Sequence, residues 1–207
     1  MNKFNFNYKI FIVLKVCLIY FLFLVQSYSD NSEIQNDWVV LGANDAPVKI
    51  KVFSSLTCPH CASFHIKVIP KIKKKYIDSG KVQIIFIDFP LDQAAFNASK
   101  LLHCVDQNKK IKFLDNIYES QNKWTLGSDL EEINNNLRQI VRILGIDASK
   151  FDKCLNNEAV ANKILNGRIN GQEKYSINST PTIVINEKKL EGSVDFKSIE
   201  KKIKKII

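Results

Sequence analysis

Alternating and continuous apolar positions predict β-strands in the first part of the chain. Residues 38–41 form a short apolar run, which is followed by a turn-forming stretch that ends at Pro47. Residues 48–54 alternate apolar and polar side chains and then become wholly apolar, the pattern of a partly buried strand. Residues 82–89 are almost continuously apolar, which is typical of a central strand covered on both faces.

A helix that begins beside a cysteine is predicted between the last two of these strands. Pro59 suits the first position of a helix, where its missing amide hydrogen costs no hydrogen bond, so Cys58 is predicted to be the N-cap. Pro70 is predicted to kink this helix, and Ser79-Gly80 to end it. The apolar face of the helix comprises Cys61, Phe64, Val68 and Ile72.

The middle of the chain, residues 92–176, has helical spacing and almost nothing typical of a strand. Apolar side chains recur three and four residues apart. They do so in three stretches separated by turn-forming residues: 94–105, 111–118 and 130–144. A set of helices is therefore predicted between the third strand and the C-terminal part.

Residues 177–207 return to β-structure and end in a helix. The pattern predicts strands over 182–185 and 189–191, joined by a turn at 186–188. An amphipathic helix follows, with one apolar stripe formed by Phe196, Ile199, Ile203 and Ile206. The predicted order is β-β-α-β, a run of helices, and β-β-α, which is an α/β arrangement.

Composition and charge add a targeting segment to this picture. The chain has 207 residues, of which 45% are hydrophobic and 25% charged, and this balance excludes disordered, collagen-like and disulfide-dense miniprotein classes. Residues 1–29 carry lysines but no acid, and their apolar run from Ile10 to Val25 is short for a spanning helix of ~20 residues. Ser27-Tyr28-Ser29 places small residues at a signal-peptidase site. We predict a cleaved secretory signal; an uncleaved membrane anchor is the alternative.

Export changes the interpretation of the cysteines. Of the five cysteines, Cys17 leaves with the predicted signal, and the four that remain suggest two disulfides in an oxidising compartment, with three connectivities. Proximity in the sequence favours Cys58 with Cys61, which leaves Cys104 with Cys154; two free buried thiols are the alternative for the second pair.

The net charge of +9 adds little, because scattered lysines suit solvated helix faces and no interleaved aromatic residues indicate a nucleic-acid partner.

The sequence Cys58-Pro59-His60-Cys61 is the strongest chemical signal in the chain. Two cysteines at this spacing, where a strand turns into a helix, can form and break a disulfide. The helix N-terminus stabilises the thiolate, so Cys58 is predicted to be the exposed nucleophile and Cys61 the resolving thiol. His60 adds a positive charge or a donor beside the sulfur, and stabilising the reduced form makes the disulfide a stronger oxidant.

Two other roles for this pair are a zinc site and a purely structural disulfide. Structural zinc normally needs four ligands, and the sequence has no second pair of cysteines at suitable spacing. A structural bridge needs neither a helix N-terminus nor a neighbouring histidine. Redox chemistry is therefore favoured, with no metal and no cofactor besides the Cys58–Cys61 disulfide.

These motifs resemble those of the DsbA-like thiol–disulfide oxidoreductases, and more narrowly the α-proteobacterial type. The resemblance covers about residues 37–207 and depends on C-P-H-C with Phe64 and His65, on residues 88–92, and on Thr180-Pro181-Thr182. It implies a thioredoxin fold with an inserted all-helical domain. The implied division is 1–29 signal peptide, 30–91 first thioredoxin part, 92–176 helical insertion and 177–207 second thioredoxin part.

The resemblance also implies roles for residues outside C-P-H-C. Pro181 matches the cis-proline of the family, whose loop lies against the active-site disulfide and pairs with the substrate backbone. Thr180 is then expected to face the sulfurs, where its hydroxyl can donate to the Cys58 thiolate. The pair of Cys104 and Cys154 is similar to a second disulfide of some α-proteobacterial relatives.

One departure from the family pattern concerns His65. The best-known enterobacterial members have a buried acid one helical turn after the second cysteine, and here that position is His65. A histidine on the same helix face as Cys61 can relay a proton when Cys61 is deprotonated. A packed histidine with no catalytic role is the alternative.

The leading hypothesis is a periplasmic dithiol oxidase that forms disulfides in exported proteins. The resemblance implies reoxidation by a quinone-linked membrane partner of the DsbB kind. A disulfide isomerase or reductase is the second hypothesis; the few residues between the predicted cleavage site and residue 38 leave no room for an isomerase's oligomerisation segment, so a monomer is expected. A periplasmic copper or zinc carrier using Cys58, Cys61 and His60 is a hypothesis of a different class.

Overall fold

A mixed β-sheet organises the computed structural model, which describes residues 38–207. The signal sequence predicted over 1–29 lies outside the described residues. The strands are β1 (Val39–Leu41), β2 (Val48–Ser54), β3 (Val82–Asp88), β4 (Thr182–Ile185) and β5 (Lys188–Lys189). Among the described residues, the strand order is β1-β3-β2-β4-β5, with β2 and β3 parallel and the other neighbours antiparallel.

The central pair of strands places the loops that follow them at one end of the sheet. Every residue of β3 is buried, as its continuous apolar pattern predicts, whereas β2 alternates buried and half-buried residues before it becomes buried throughout. Ser54 pairs with Asp88, so the carboxyl ends of both strands lie side by side. The loop that follows β2 therefore begins at this end.

Helices surround the sheet and fill the chain between β3 and β4. Their bounds are α1 (Pro59–Lys67), α2 (Ile69–Ile72), α3 (Gln93–Cys104), α4 (Lys110–Glu119), α5 (Gln121–Trp124), α6 (Leu130–Arg142), α7 (Ala148–Leu155), α8 (Glu158–Tyr175) and α9 (Phe196–Ile203). A wide π-type turn, Lys73–Ile77, follows α2, and a 3₁₀ turn, Gln107–Lys109, precedes α4.

The first helical segment is interrupted as its sequence predicts. Helix α1 ends at Lys67, and its C-cap is Val68, whose amide donates to the carbonyl of Phe64. Pro70 lies in the second position of α2 and has no amide hydrogen to continue the ladder of α1. The chain therefore restarts as α2 instead of continuing as one straight helix.

The helices between β3 and β4 have defined starts and one covalent link. Polar side chains accept a hydrogen bond from the backbone amide three residues later, which satisfies an orphan donor of the first turn. These N-caps are Asp92, Asp129, Asp147 and Asn157. A disulfide between Cys104 and Cys154 joins α3 to α7, with Cα atoms 6.0 Å apart, so the alternative of two free thiols is wrong.

Two predictions for the C-terminal part need correction. The last strand is Lys188–Lys189 instead of 189–191, because a tight turn at Asn186 and Glu187, both with positive φ, allows pairing to begin at once. Ile206 lies beyond the end of α9 and is 43% exposed, so the buried stripe of this helix ends at Ile203.

Candidate active site

The loop between β2 and α1 carries both cysteines of the predicted redox pair. Cys58 has extended backbone geometry and is the N-cap of α1, with Pro59 at the first helical position, as predicted. Its carbonyl accepts the first helical hydrogen bond from Ala62, at 3.1 Å. Cys61 follows inside the first turn and is 2% exposed. The two sulfurs are free thiols in this structure.

The Thr180–Pro181 segment lies over Cys58. It precedes β4, which pairs antiparallel with β2, and this pairing brings together residues far apart in sequence. The peptide bond between Thr180 and Pro181 is cis, as the resemblance implies. In its thiol form, Cys58 Sγ donates to the Thr180 carbonyl oxygen at 3.4 Å. This contact leaves Cys58 only 8% exposed, so the prediction of an exposed nucleophile is wrong, although Cys58 is more accessible than Cys61.

The two thiols differ strongly in acidity. A hydrogen bond from Cys61 is the largest cause that lowers the pKa of Cys58 to about 5. The Thr180 side chain and the backbone amides of Cys61 and His60 add to this effect, and burial opposes it. The same hydrogen bond, together with burial, raises the pKa of Cys61 far above its ordinary value. Cys58 is therefore the thiolate at neutral pH and Cys61 the protonated thiol.

Thr180 and His60 act on the sulfurs in different ways. The Thr180 hydroxyl is buried and has no hydrogen-bond partner within the described part of the chain while both sulfurs are thiols. It lowers the pKa of both cysteines because it can donate to a sulfur that has become a thiolate. The His60 side chain is exposed, and the pKa of Cys58 is lowered by the backbone amide of this residue. The direct effect predicted for the imidazole is not among these contributions.

His65 lies on the same helix as Cys61 and is buried, at 6% exposure. Its Nε2 pairs with Asp115 Oδ1 of α4 at 2.7 Å, and the Asp115 side chain is half exposed. The His65 ring lies against the Tyr118 ring, with centroids 4.9 Å apart. His65 Nδ1 and the Tyr118 hydroxyl are both buried without a hydrogen-bond partner in residues 38–207.

Comparisons with known proteins agree with the fold and with this site. A thioredoxin family model matches residues 35–205. The chain belongs to the thioredoxin family. It is 33% identical over 173 residues to the probable disulfide bond formation protein D of Bacillus anthracis, covering 80% of this chain and 78% of that protein.

Solved structures place the chain among the DsbA-like members of the family. The crystal structure of Wolbachia pipientis alpha-DsbA1 is similar with a TM-score of 0.74 and 31% identity, over 83% of this chain and 91% of that one. BdbD from Bacillus subtilis is similar with a TM-score of 0.72 and 25% identity, over 82% of this chain and 92% of that one. The chain is thus a DsbA-like thiol–disulfide oxidoreductase, and the prediction of its fold class is confirmed.

The DsbA-like active site also contains residues that sequence reasoning missed. Gln121 Nε2 of α5 donates to the backbone carbonyls of Leu56, at 2.8 Å, and Cys58, at 3.1 Å. Thr57 Oγ1 donates to Asp92 Oδ2 at 2.6 Å. An N-cap pattern indicates Asp92, but no local signal indicates Gln121 because its contacts span more than sixty residues.

Within the range 38–207, the structure contains no group of three or more His, Cys, Asp or Glu side chains that could hold a metal ion. Over the same range, none of the helices combines the length and apolar character needed to span a membrane.

Proposed function

We propose that this DsbA-like chain is a periplasmic dithiol oxidase, which oxidises cysteine pairs of exported proteins through the Cys58–Cys61 disulfide. The observation that carries the proposal is the position of Cys58, at the N-cap of α1 and beneath the Thr180–Pro181 loop. This position agrees with a pKa of Cys58 of about 5 beside a Cys61 whose pKa is raised. A stable thiolate favours the reduced form of the pair, so the disulfide form is a strong oxidant. The same thiolate leaves easily when a substrate disulfide forms.

The reaction balances as two thiol–disulfide exchanges. A substrate thiolate attacks Cys58 Sγ, a mixed disulfide forms, and the bond to Cys61 breaks; the Cys61 sulfur takes the electron pair and then a proton. A second substrate thiolate attacks the substrate sulfur of the mixed disulfide, and Cys58 leaves as a thiolate. The substrate loses two electrons and two protons; the cysteine pair of this chain gains both electrons, Cys61 gains one proton, and the other proton goes to solvent because Cys58 stays a thiolate.

Thr180 and Pro181 frame the sulfur that reacts. The Thr180 hydroxyl is buried and unpartnered among the described residues, and it lowers the pKa of Cys58, so it is suited to donate to the thiolate. The Pro181 loop lies over the same sulfur, where the family resemblance implies pairing with the substrate backbone. Both residues thus contact the mixed disulfide directly. The His60 side chain is exposed beside Cys58, where an incoming substrate can reach it.

His65 is proposed to move the proton that Cys61 gains and loses. The pKa of Cys61 is raised, so the Cys61 sulfur must gain a proton after it leaves as a thiolate. The Cys61 thiol must lose that proton before it attacks. The imidazole connects the buried interior near Tyr118 with the half-exposed carboxylate of Asp115. The two ring nitrogens suit a relay, since Nε2 meets Asp115 and Nδ1 has no partner within residues 38–207.

The predicted signal and the family resemblance support a setting outside the cytoplasm. The predicted secretory signal and the Cys104–Cys154 disulfide suit an oxidising compartment outside the cytoplasm. We propose that the chain acts as a monomer and that a quinone-linked membrane oxidase of the DsbB kind returns the cysteine pair to the disulfide. No organic cofactor or metal is needed for this exchange.

The test is stoichiometric oxidation of a reduced two-cysteine peptide by the oxidised chain. One equivalent of intramolecular peptide disulfide should form, and Cys58→Ser should abolish the reaction. Cys61→Ser should accumulate a mixed disulfide with a one-cysteine peptide activated as its thionitrobenzoate disulfide, because the Cys58 thiolate displaces thionitrobenzoate and no Cys61 resolves the product. A chain that rearranges scrambled disulfides but oxidises no peptide would contradict the proposal in favour of an isomerase. Tight binding of one copper or zinc ion by reduced chain that lacks oxidase activity would favour the carrier.

A further inference from the structure

Gln121 reaches from α5 into the loop that carries Cys58. Its amide nitrogen makes two hydrogen bonds, to the carbonyl oxygens of Leu56 and Cys58. The residue is 8% exposed, so water is a poor substitute for this donor. Helix α5 holds Gln121 in turn, because the Gln121 carbonyl accepts from both the amide and the hydroxyl of Thr125.

The Cys58 carbonyl held by Gln121 is also the first acceptor of α1. It receives the amide of Ala62, so Gln121 fixes the peptide group that joins the N-cap to the helix. The amides that help to stabilise the Cys58 thiolate, those of His60 and Cys61, lie immediately after this peptide group. The direction of the Cys58 sulfur relative to them depends on this restraint.

A second contact from the same set of helices holds the loop one residue earlier. Asp92 accepts from the Thr57 hydroxyl at 2.6 Å and from the Ala95 amide at 2.7 Å, so it links the loop to the start of α3. Asp92 is exposed, whereas Gln121 is buried. Water can therefore replace part of the Asp92 contact but not the Gln121 contact.

The restraint matters more in the reduced protein than in the oxidised protein. In the oxidised protein, the covalent bond to Cys61 ties Cys58 to α1 whatever the loop does. In the reduced protein this bond is broken, and the backbone, with weaker contacts to Cys61 and Thr180, keeps the Cys58 sulfur over the helix N-terminus. Loss of Gln121 therefore weakens the stabilisation of the thiolate selectively.

We propose that Gln121 is a positioning residue for thiol–disulfide exchange, through which the helices between β3 and β4 set the reactivity of Cys58. The proposal rests on the proposed function, since it assigns a further residue to the same reaction. It gives these helices a part in the chemistry itself, beyond packing against the sheet.

Gln121→Met in the full chain tests the proposal, because methionine has a similar length and no donor. Titration of the thiolate absorbance should show the pKa of Cys58 raised from about 5 to about 6. The equilibrium constant for oxidation of glutathione should fall about tenfold, which corresponds to about 30 mV for a two-electron couple. Gln93→Met is the control: it removes an amide from an exposed position of α3 and should change neither quantity.

A purely structural role predicts a different result. Gln121→Met would then lower the free energy of unfolding equally in both redox forms and leave the pKa and the equilibrium constant at the parent values; that outcome overturns the proposal. If this variant does not fold, NMR of the parent chain decides. The Gln121 side-chain amide should resist hydrogen exchange and shift as Cys58 titrates, and a freely exchanging, non-titrating amide overturns the proposal. A parent chain whose Cys58 has an ordinary pKa contradicts the proposed function instead.

Discussion

At the residue scale, one hydrogen bond separates the acidities of the two active-site sulfurs. Cys61 donates its proton toward Cys58, which lowers the pKa of the acceptor and raises that of the donor. The sequence predicts both cysteines from the C-P-H-C motif, and the family resemblance implies the role of Thr180. The sequence does not predict Asp115 or Gln121, whose partners lie fifty or more residues away and become neighbours only when α4 packs beside α1 and α5 meets the loop before α1.

Removal of the Cys61 donor should make Cys58 less acidic. Cys61→Ala should raise the pKa of Cys58 from about 5 to above 6, since a hydrogen bond to a charged group is worth about 1.5–3 kcal/mol. Cys61→Ser keeps a donor at the same position and should raise the pKa less. Thiolate absorbance against pH measures both, and equal values for the two variants would contradict the assigned cause.

The Thr180 hydroxyl should have a smaller effect in the same direction. Thr180→Val keeps the shape of the side chain and removes the donor, so the pKa of Cys58 should rise by about half a unit to one unit, and the reduction potential should fall. Thr180→Ser retains the hydroxyl and should behave as the parent chain does. An unchanged titration of Cys58 in Thr180→Val would show that the hydroxyl does not act on the thiolate.

At the element scale, the contact between α1 and α4 and the links to α3 and α5 connect the sheet with the inserted helices. The hydrophobic period predicts most of these elements, and Pro70 predicts the break after α1, because both signals are local. Neither signal predicts which helix faces α1. That choice depends on tertiary packing, in which His65 meets Asp115 and Tyr118. The disulfide between α3 and α7 closes a loop of 50 residues and contributes about 4 kcal/mol in the loop-entropy model.

The pairing of α1 with α4 should control how fast Cys61 exchanges its proton. Asp115→Asn removes the carboxylate from His65 Nε2 and should slow the attack of Cys61 on a mixed disulfide by about tenfold, which is below the usual range for a lost acid–base group because water can still reach this position. Glu119→Gln is the matched control, since it removes an acid from the same helix. Stopped-flow rates against pH measure the step; equal rates in both variants would leave His65 as a packed residue.

At the scale of the whole molecule, the reduced and oxidised forms should differ in how their stability depends on pH. The pKa of Cys58 is about 5 in the folded reduced chain and ~8.5 when unfolded, so its contribution to stability is full above ~8.5 and is lost as the pH falls through about 5. The oxidised chain has no such titration. We expect the reduced chain to lose roughly a few kcal/mol relative to the oxidised chain between pH 8 and pH 4.

Parallel denaturant titrations of the two forms measure this difference. The Cys58→Ser variant serves as the control, since it lacks the titrating thiol and should show little of the difference. A pH-independent gap between the reduced and oxidised chains would mean that folding does not stabilise the Cys58 thiolate.

The redox equilibrium of the chain with glutathione tests the central claim most directly. If a stabilised Cys58 thiolate makes this chain an oxidase, its reduction potential should lie near the ~−120 mV of strongly oxidising DsbA proteins. The mixture is quenched with acid and the free thiols are counted by mass after alkylation. A potential near the ~−270 mV of thioredoxin would contradict the account and indicate a reductase.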